Sequence, residues 1–185
     1  GNLIIVQPPQ PNTLYYIGAD IASGRSRDYS AFSVMDRKGN EVAYYKGKIA
    51  VNQFANLLMR TGKEYHRAVI APESNDIGLA VTNKIQDNGY PNLFYTTKFL
   101  KEKGDSRPKE SKIPGWYTDM KSRPIIIDEL ENDIRNDKIN VTNKFFIQEA
   151  YTFIYDERNR PLAMGKGSKG SEEEDILDDE NRYTD

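Results

Sequence analysis

Residues 67–74, RAVIAPES, hold a short, continuous apolar run with an acid, Glu73, at its carboxyl end. Without alternation over that length, the run predicts a strand covered on both faces, which is the signature of parallel pairing. Just upstream, Val51, Phe54, Ala55 and Leu58 recur at i, i+3, i+4 and i+7, predicting an amphipathic helix from 51 to about 63 that stops near Gly62. Earlier still come three strand-like runs, LYYIGAD (14–20), SAFSVMD (30–36) and EVAYYKGK (41–48). The turn RKGN joins the last two, so the three predict an antiparallel meander. A meander, a helix and then a parallel strand specify a mixed α/β sheet with helices on both faces. At 185 residues, one domain is the expectation.

The rest of the chain extends this pattern. Ile77, Ala80, Val81 and Ile85 predict a second helix that begins past Asn75 and Asp76 and ends before Gly89, and NLFYTT (92–97) predicts a further short strand. Residues 98–113, KFLKEKGDSRPKESKI, carry Gly and Pro without periodicity and predict a basic, mobile surface loop. Pro124 opens a third helix with Ile127, Leu130 and Ile134 on one face. A short KINV strand, a helix from about Thr142 to Tyr151 and a hairpin around ERNR follow. Residues 1–13, rich in proline, read as a linker or edge segment, as at the border of a domain cut from a longer chain. Residues 166–182 read as a disordered Gly/Ser and acidic insert, because acids at seven of the nine positions 172–180 cannot pack a core.

Composition narrows the chemistry. The chain has no cysteine and a single histidine, His66, which excludes thiolate metal sites and Cys nucleophiles and disfavours a His-based cage or a serine triad. A formal net charge of −2 argues against a globally basic nucleic-acid binder while leaving room for a local basic face. No apolar run approaches the roughly 20 residues of a membrane span, and the expectation is a soluble, intracellular protein without a membrane partner. Carboxylates are the remaining catalytic groups. Asp20 and Glu73 each end a strand that begins apolar, and adjacent strand ends bring side chains together. Two such acids repel unless a cation lies between them, and Mg²⁺ and Mn²⁺ prefer oxygen ligands. Asp28 reads as a turn residue or as a support that steers the site, and Asp36 as hairpin polarity. Tyr15, Tyr16, Tyr29, Tyr44 and Tyr45 read as strand-face packing. Lys98, Lys101, Lys103, Arg107, Lys109 and Lys112 concentrate charge suited to phosphate contact without base reading. GKGSKGS (165–171) lacks the lysine of a phosphate-binding loop and follows no buried strand, so no ATPase site is expected.

Three ordered blocks, YIGADIASGRSRDYSAFSVMD, VIAPESNDIGLAVTNKI and GWYTDMKSRPIIIDELENDIRNDKINV, resemble the C-terminal nuclease domain of tailed-phage terminase large subunits, an RNase H-like family. The resemblance spans roughly residues 14–185. It implies that Asp20 matches the family's first-strand metal ligand and Glu73 its second catalytic acid. A third carboxylate matches Asp185 in the closing Tyr183-Thr184-Asp185, with Thr where His is common; Asp178 or Asp179 is the alternative. The implied activity is endonucleolytic cutting of concatemeric double-stranded viral DNA, with two Mg²⁺ or Mn²⁺ ions about 3.5–4 Å apart. Implied partners are an N-terminal packaging ATPase on the same polypeptide, the portal and the small terminase subunit, in the cytoplasm of the infected bacterial host. The rival readings are another RNase H-like nuclease, such as a Holliday-junction resolvase, and a non-catalytic DNA-binding packaging module.

Overall fold

The computed structural model describes residues 2–22, 29–75, 77–100, 109–119, 121–155 and 161–163. Its first strands are Asn2–Ile5 (β1), Tyr15–Asp20 (β2), Ser30–Asp36 (β3) and Glu41–Gly47 (β4); helix Val51–Glu64 (α1) leads into Val69–Pro72 (β5), and Ile77–Asp87 (α2) follows. Strands 1 to 5 form one sheet in the order β1-β4-β3-β2-β5. The meander β2-β3-β4 is antiparallel, and β5 lies parallel to β2, as predicted. Residues Asn2–Ile5, as β1, pair antiparallel with β4 at the edge of the sheet.

Alternation along β2 sets the two faces of the sheet. Tyr15, Ile17 and Ala19 are buried, whereas Tyr16, Gly18 and Asp20 stand on the opposite, exposed face. Phe32 and Val34 of β3 and Ala43 and Tyr45 of β4 share the inward face, where Phe54, Ala55 and Leu58 of α1 and Val81 and Ile85 of α2 cover them. The rings of Phe32, Tyr45 and Phe54 meet with centroids 5.5 to 6.0 Å apart. Rings so buried contribute about 3–5 kcal/mol each relative to alanine.

In β5, cover on both faces is not what the structure shows. Ile70 and Pro72 are buried but Val69 and Ala71 are only half-buried, because the outer face opens onto a cavity. Beyond β5 the sheet edge continues through residues 92–94: the Ile70 N–H donates to the Asn92 carbonyl (2.9 Å) and the Phe94 N–H to the Ile70 carbonyl (2.8 Å). There the chain departs as an antiparallel hairpin, Tyr95–Leu100 (β6) and Lys109–Pro114 (β7). It returns at Trp116, whose N–H donates to the Pro72 carbonyl (2.8 Å). Gly115 makes the re-entry possible, with φ +87° and a position where a Cβ would come within 2.6 Å of the Pro72 oxygen.

The hairpin corrects the reading of 98–113 as one irregular loop. Lys98 pairs with Ser111 and Leu100 with Lys109 in the ladder, while residues 101–108 lie outside the described residues. Charged residues hid these strands because an exposed ladder is held by backbone hydrogen bonds and needs no apolar period.

Helix Ser122–Arg135 (α3) begins two residues before Pro124. The Asp119 carboxylate accepts from the Lys121 and Ser122 N–H groups in the turn that leads into the helix. The KINV segment makes a single parallel bridge, Asn140 to Asn40, rather than a strand. These elements belong to a compact unit spanning residues 1–142. A second unit, from 143 onward, holds helix Lys144–Ala150 (α4) and the antiparallel pair Phe153–Tyr155 (β8) and Pro161–Ala163 (β9). The Asn143 side chain caps α4 by accepting from the Phe145 N–H at 3.0 Å. Among the described residues, no helix is long and apolar enough to cross a membrane.

Candidate functional site

Register alone builds a row across the exposed face of the sheet. Asp20 lies opposite Ala31 on β3, and Ala31 opposite Lys46 on β4. On the other side, the Glu73 N–H donates to the Ala19 carbonyl (2.8 Å), which continues the parallel pairing past Ala19 and Pro72 and sets Glu73 beside Asp20. Trp116 bridges to Glu73 in turn. The row therefore reads Lys46, Ala31, Asp20, Glu73, Trp116: a cation, a small residue, two acids and an aromatic.

The two acids share this position for a topological reason. Parallel strands end on the same side of a sheet, so the carboxyl ends of β2 and β5 coincide, about 4.8 Å apart from strand to strand. Both acids line one cavity of about 690 Å³. Gly18 and Ala71 give it a shallow floor, Phe94 and Trp116 one wall, and Arg123, Ile126, Ile127 and Glu129 of α3 the other. Helices thus flank both faces of the sheet, α1 and α2 on one and α3 on the other.

Asn75 holds Glu73 in place. Its Nδ2 donates to Glu73 Oε1 (3.1 Å) and to the Thr118 carbonyl (2.9 Å), linking the acid to the segment that leads into α3. Its Oδ1 is buried and has no hydrogen-bond partner among the described residues. Gly78 lets α2 start close by, for a Cβ there would collide with the Glu73 carbonyl.

Two adjacent carboxylates aimed into one cavity repel, and a divalent cation relieves that repulsion better than a single ammonium. Asp20 and Glu73, with only oxygen donors, suit a hard cation such as Mg²⁺ or Mn²⁺. Among the described residues no group of three or more His, Cys, Asp or Glu side chains gathers to hold a metal.

Of the residues singled out from sequence, Asp20 and Glu73 are brought together. Asp28, Asp178, Asp179, Asp185, Lys101, Lys103 and Arg107 lie outside the described residues, as does GKGSKGS. Lys98 stands on β6 and Lys109 and Lys112 on β7, with Lys112 exposed. Asp36 is the hairpin acid it was taken for. Its Oδ1 accepts from the Lys38 and Asn40 N–H groups (2.8 and 2.9 Å). Burial pushes its carboxyl up, but the hydrogen bonds from Asn40 and Lys38 and the Lys38 charge outweigh that and hold it below the usual value. Tyr15, Tyr44 and Tyr45 are buried packing residues, whereas Tyr16 and Tyr29 are 45% and 48% exposed. Asn75, Trp116, Arg123 and Lys46 were not read as site residues. Asn75 carried a signal in its place two residues after the acid; the others join through register or through the long excursion between β5 and α3.

The mixed sheet carries its two acids at the carboxyl ends of adjacent parallel strands. Solved structures share the fold. The chain is similar to the large terminase nuclease from thermophilic phage G20c with bound magnesium, at TM-score 0.66 and 19% identity over 90% of this chain and 80% of that one. The G20c nuclease with bound cobalt matches at TM-score 0.65 and 18% identity, over 96% and 83%. The Thermus phage P74-26 large terminase nuclease domain matches at TM-score 0.63 and 19% identity, over 91% and 79%. No family model matches the sequence, and no curated protein does. The chain has the fold of phage large terminase nuclease domains.

Proposed function

We propose that this chain is a divalent-metal-dependent endodeoxyribonuclease of a viral genome-packaging motor that cuts concatemeric double-stranded DNA. The observation that carries the proposal is the juxtaposition of Asp20 and Glu73 on one face, at one cavity, on parallel strands. The shared fold with large terminase nucleases solved with bound magnesium and cobalt supports the same reading.

In this reading Asp20, Glu73 and a third carboxylate, Asp185, hold two Mg²⁺ or Mn²⁺ ions. When bound, such ions lower the pKa of a water for in-line attack on a phosphodiester and offset charge on the leaving 3′ oxygen. The chain's own residues prepare the site. Asn75 fixes the Glu73 carboxylate in one orientation, which keeps the ligand set preorganised. The small floor of Gly18 and Ala71 leaves room for a sugar-phosphate segment to approach the acids. Lys98, Lys101, Lys103, Arg107, Lys109 and Lys112 give the β6–β7 hairpin a positive charge that meets phosphates without reading bases. The proposed partners are double-stranded DNA, a packaging ATPase domain on the same polypeptide, the portal and the small terminase subunit, in the cytoplasm of an infected bacterium.

The test is nicking of supercoiled plasmid in Mn²⁺. Asp20→Asn should lower the rate by at least about 100-fold. An unchanged rate in that variant would sink the metal reading. Asp185→Asn, compared with Asp178→Asn and Asp179→Asn, assigns the third ligand.

A further inference from the structure

Tyr29 has an unusual setting for a residue at the mouth of a strand. Its ring is 48% exposed, and two ammonium groups approach it, Lys46 Nζ at 5.4 Å and Lys48 Nζ at 5.5 Å from the ring centroid. One aromatic face attracts a cation modestly, yet gathering two over the same ring costs mutual repulsion. The arrangement sets two ammonium groups and an aromatic hydroxyl close together.

Its location relates it to the acid pair. Lys46 lies opposite Ala31, and Ala31 opposite Asp20, so all three stand on the exposed face in one row. Two strand spacings separate Lys46 from Asp20, about 10 Å between backbones. That is a span of about one to three nucleotides of a single strand. Ala31, the intervening residue, has no bulk to block a strand lying along the row. Lysine ammonium groups on flexible stems and a tyrosine hydroxyl are groups that contact phosphate oxygens without regard to sequence.

We infer that Lys46, Lys48 and Tyr29 form a phosphate-binding platform that grips the nucleic-acid backbone a few nucleotides from the phosphodiester held over Asp20 and Glu73. The inference rests on the nuclease reading for which bond is cut, but its own content is a backbone contact. The platform positions DNA and takes no part in the bond-breaking step. Its removal therefore weakens DNA binding and raises KM while leaving kcat near its original value.

Binding is read by fluorescence anisotropy of a labelled short duplex in EDTA, where no cutting occurs, across a sodium chloride series. The double variant Lys46→Gln/Lys48→Gln should reduce the steepness of log K against log salt by up to about 1.8, at roughly 0.9 per phosphate contact, with Lys48→Gln alone giving about half of that. The double arginine variant should restore the slope. Arg60→Gln/Lys63→Gln, on the exposed side of α1, should leave it unchanged, and thermal melts confirm that each variant folds. A wild-type slope in the double glutamine variant overturns the platform. So does a loss of cutting rate in Lys46→Gln with no change in slope, which would make Lys46 a counter-charge to the acids. If the wild-type chain shows the salt-dependent binding but never nicks plasmid, the nuclease reading fails and the platform stands.

Discussion

The central sheet carries acids at two places, and it treats them in opposite ways. Glu41, at the start of β4, is 3% exposed. Its carboxylate accepts from the Ser33 hydroxyl (2.6 Å), the Thr142 N–H (2.8 Å) and the Thr142 hydroxyl (3.2 Å). These hydrogen bonds hold a buried carboxylate in place and tie residues 139–142 to the sheet. At the other end of the strands, Asp20 and Glu73 face each other across one strand spacing in an open cavity. The difference separates an acid that serves the fold from a pair placed where a ligand can reach it. A single buried acid is held by short hydrogen bonds within the fold, whereas two acids side by side on an accessible face suit a divalent cation.

Breaking each end in turn tests that contrast. Glu73→Gln should abolish nicking to within about 1% of wild type while shifting stability by no more than about 0.5 kcal/mol, because the isosteric amide still accepts from Asn75. A large loss of Tm in that variant would mean that Glu73 is structural after all. Asn75→Ala leaves both acids in place but frees Glu73, and the expected cost is about 10–100-fold in metal affinity, measured by Mn²⁺ titration of activity. Equal affinity would remove Asn75 from the site. Glu41→Ala should do the reverse, lowering unfolding free energy by about 1–3 kcal/mol through orphaned donors at Ser33 and Thr142 while activity per folded molecule stays the same.

The smallest effect comes from Asp36. Its carboxyl is held below the ordinary value, so the folded state binds the proton less readily than the unfolded chain does. Its contribution is present above the unfolded value near 3.8 and fades as pH falls through the folded one. Acid melts of Asp36→Asn should therefore be flatter than wild type below about pH 4 and parallel to it at neutral pH. Identical acid limbs would show that the RKGN turn does not depend on this charge.

Much of the fold was legible because its signals are local. The alternation of LYYIGAD, the 3.6 period of Val51, Phe54, Ala55 and Leu58, and the compact run RAVIAPES each declare an element from within a few residues. Asp20 and Glu73 were legible for the same reason, as polar ends on apolar strands. The β6–β7 hairpin was not, since Lys98 and Lys109 give an exposed ladder no apolar period to read. Glu41 was missed because what satisfies it, Thr142, is a hundred residues away along the chain.

By itself, the sequence determined the elements that carry an apolar period and narrowed the chemistry open to the chain. With no cysteine and one histidine, carboxylates were the candidate groups left, and strand periodicity said which residues face the same way. Only the tertiary structure decided the partners. Laying β5 parallel to β2 brought Glu73 beside Asp20, and pairing β3 with β4 carried Lys46 into the same row. Register is a property of two strands together, fixed by long-range backbone hydrogen bonds and burial of the inward face, so no single stretch of chain can state it.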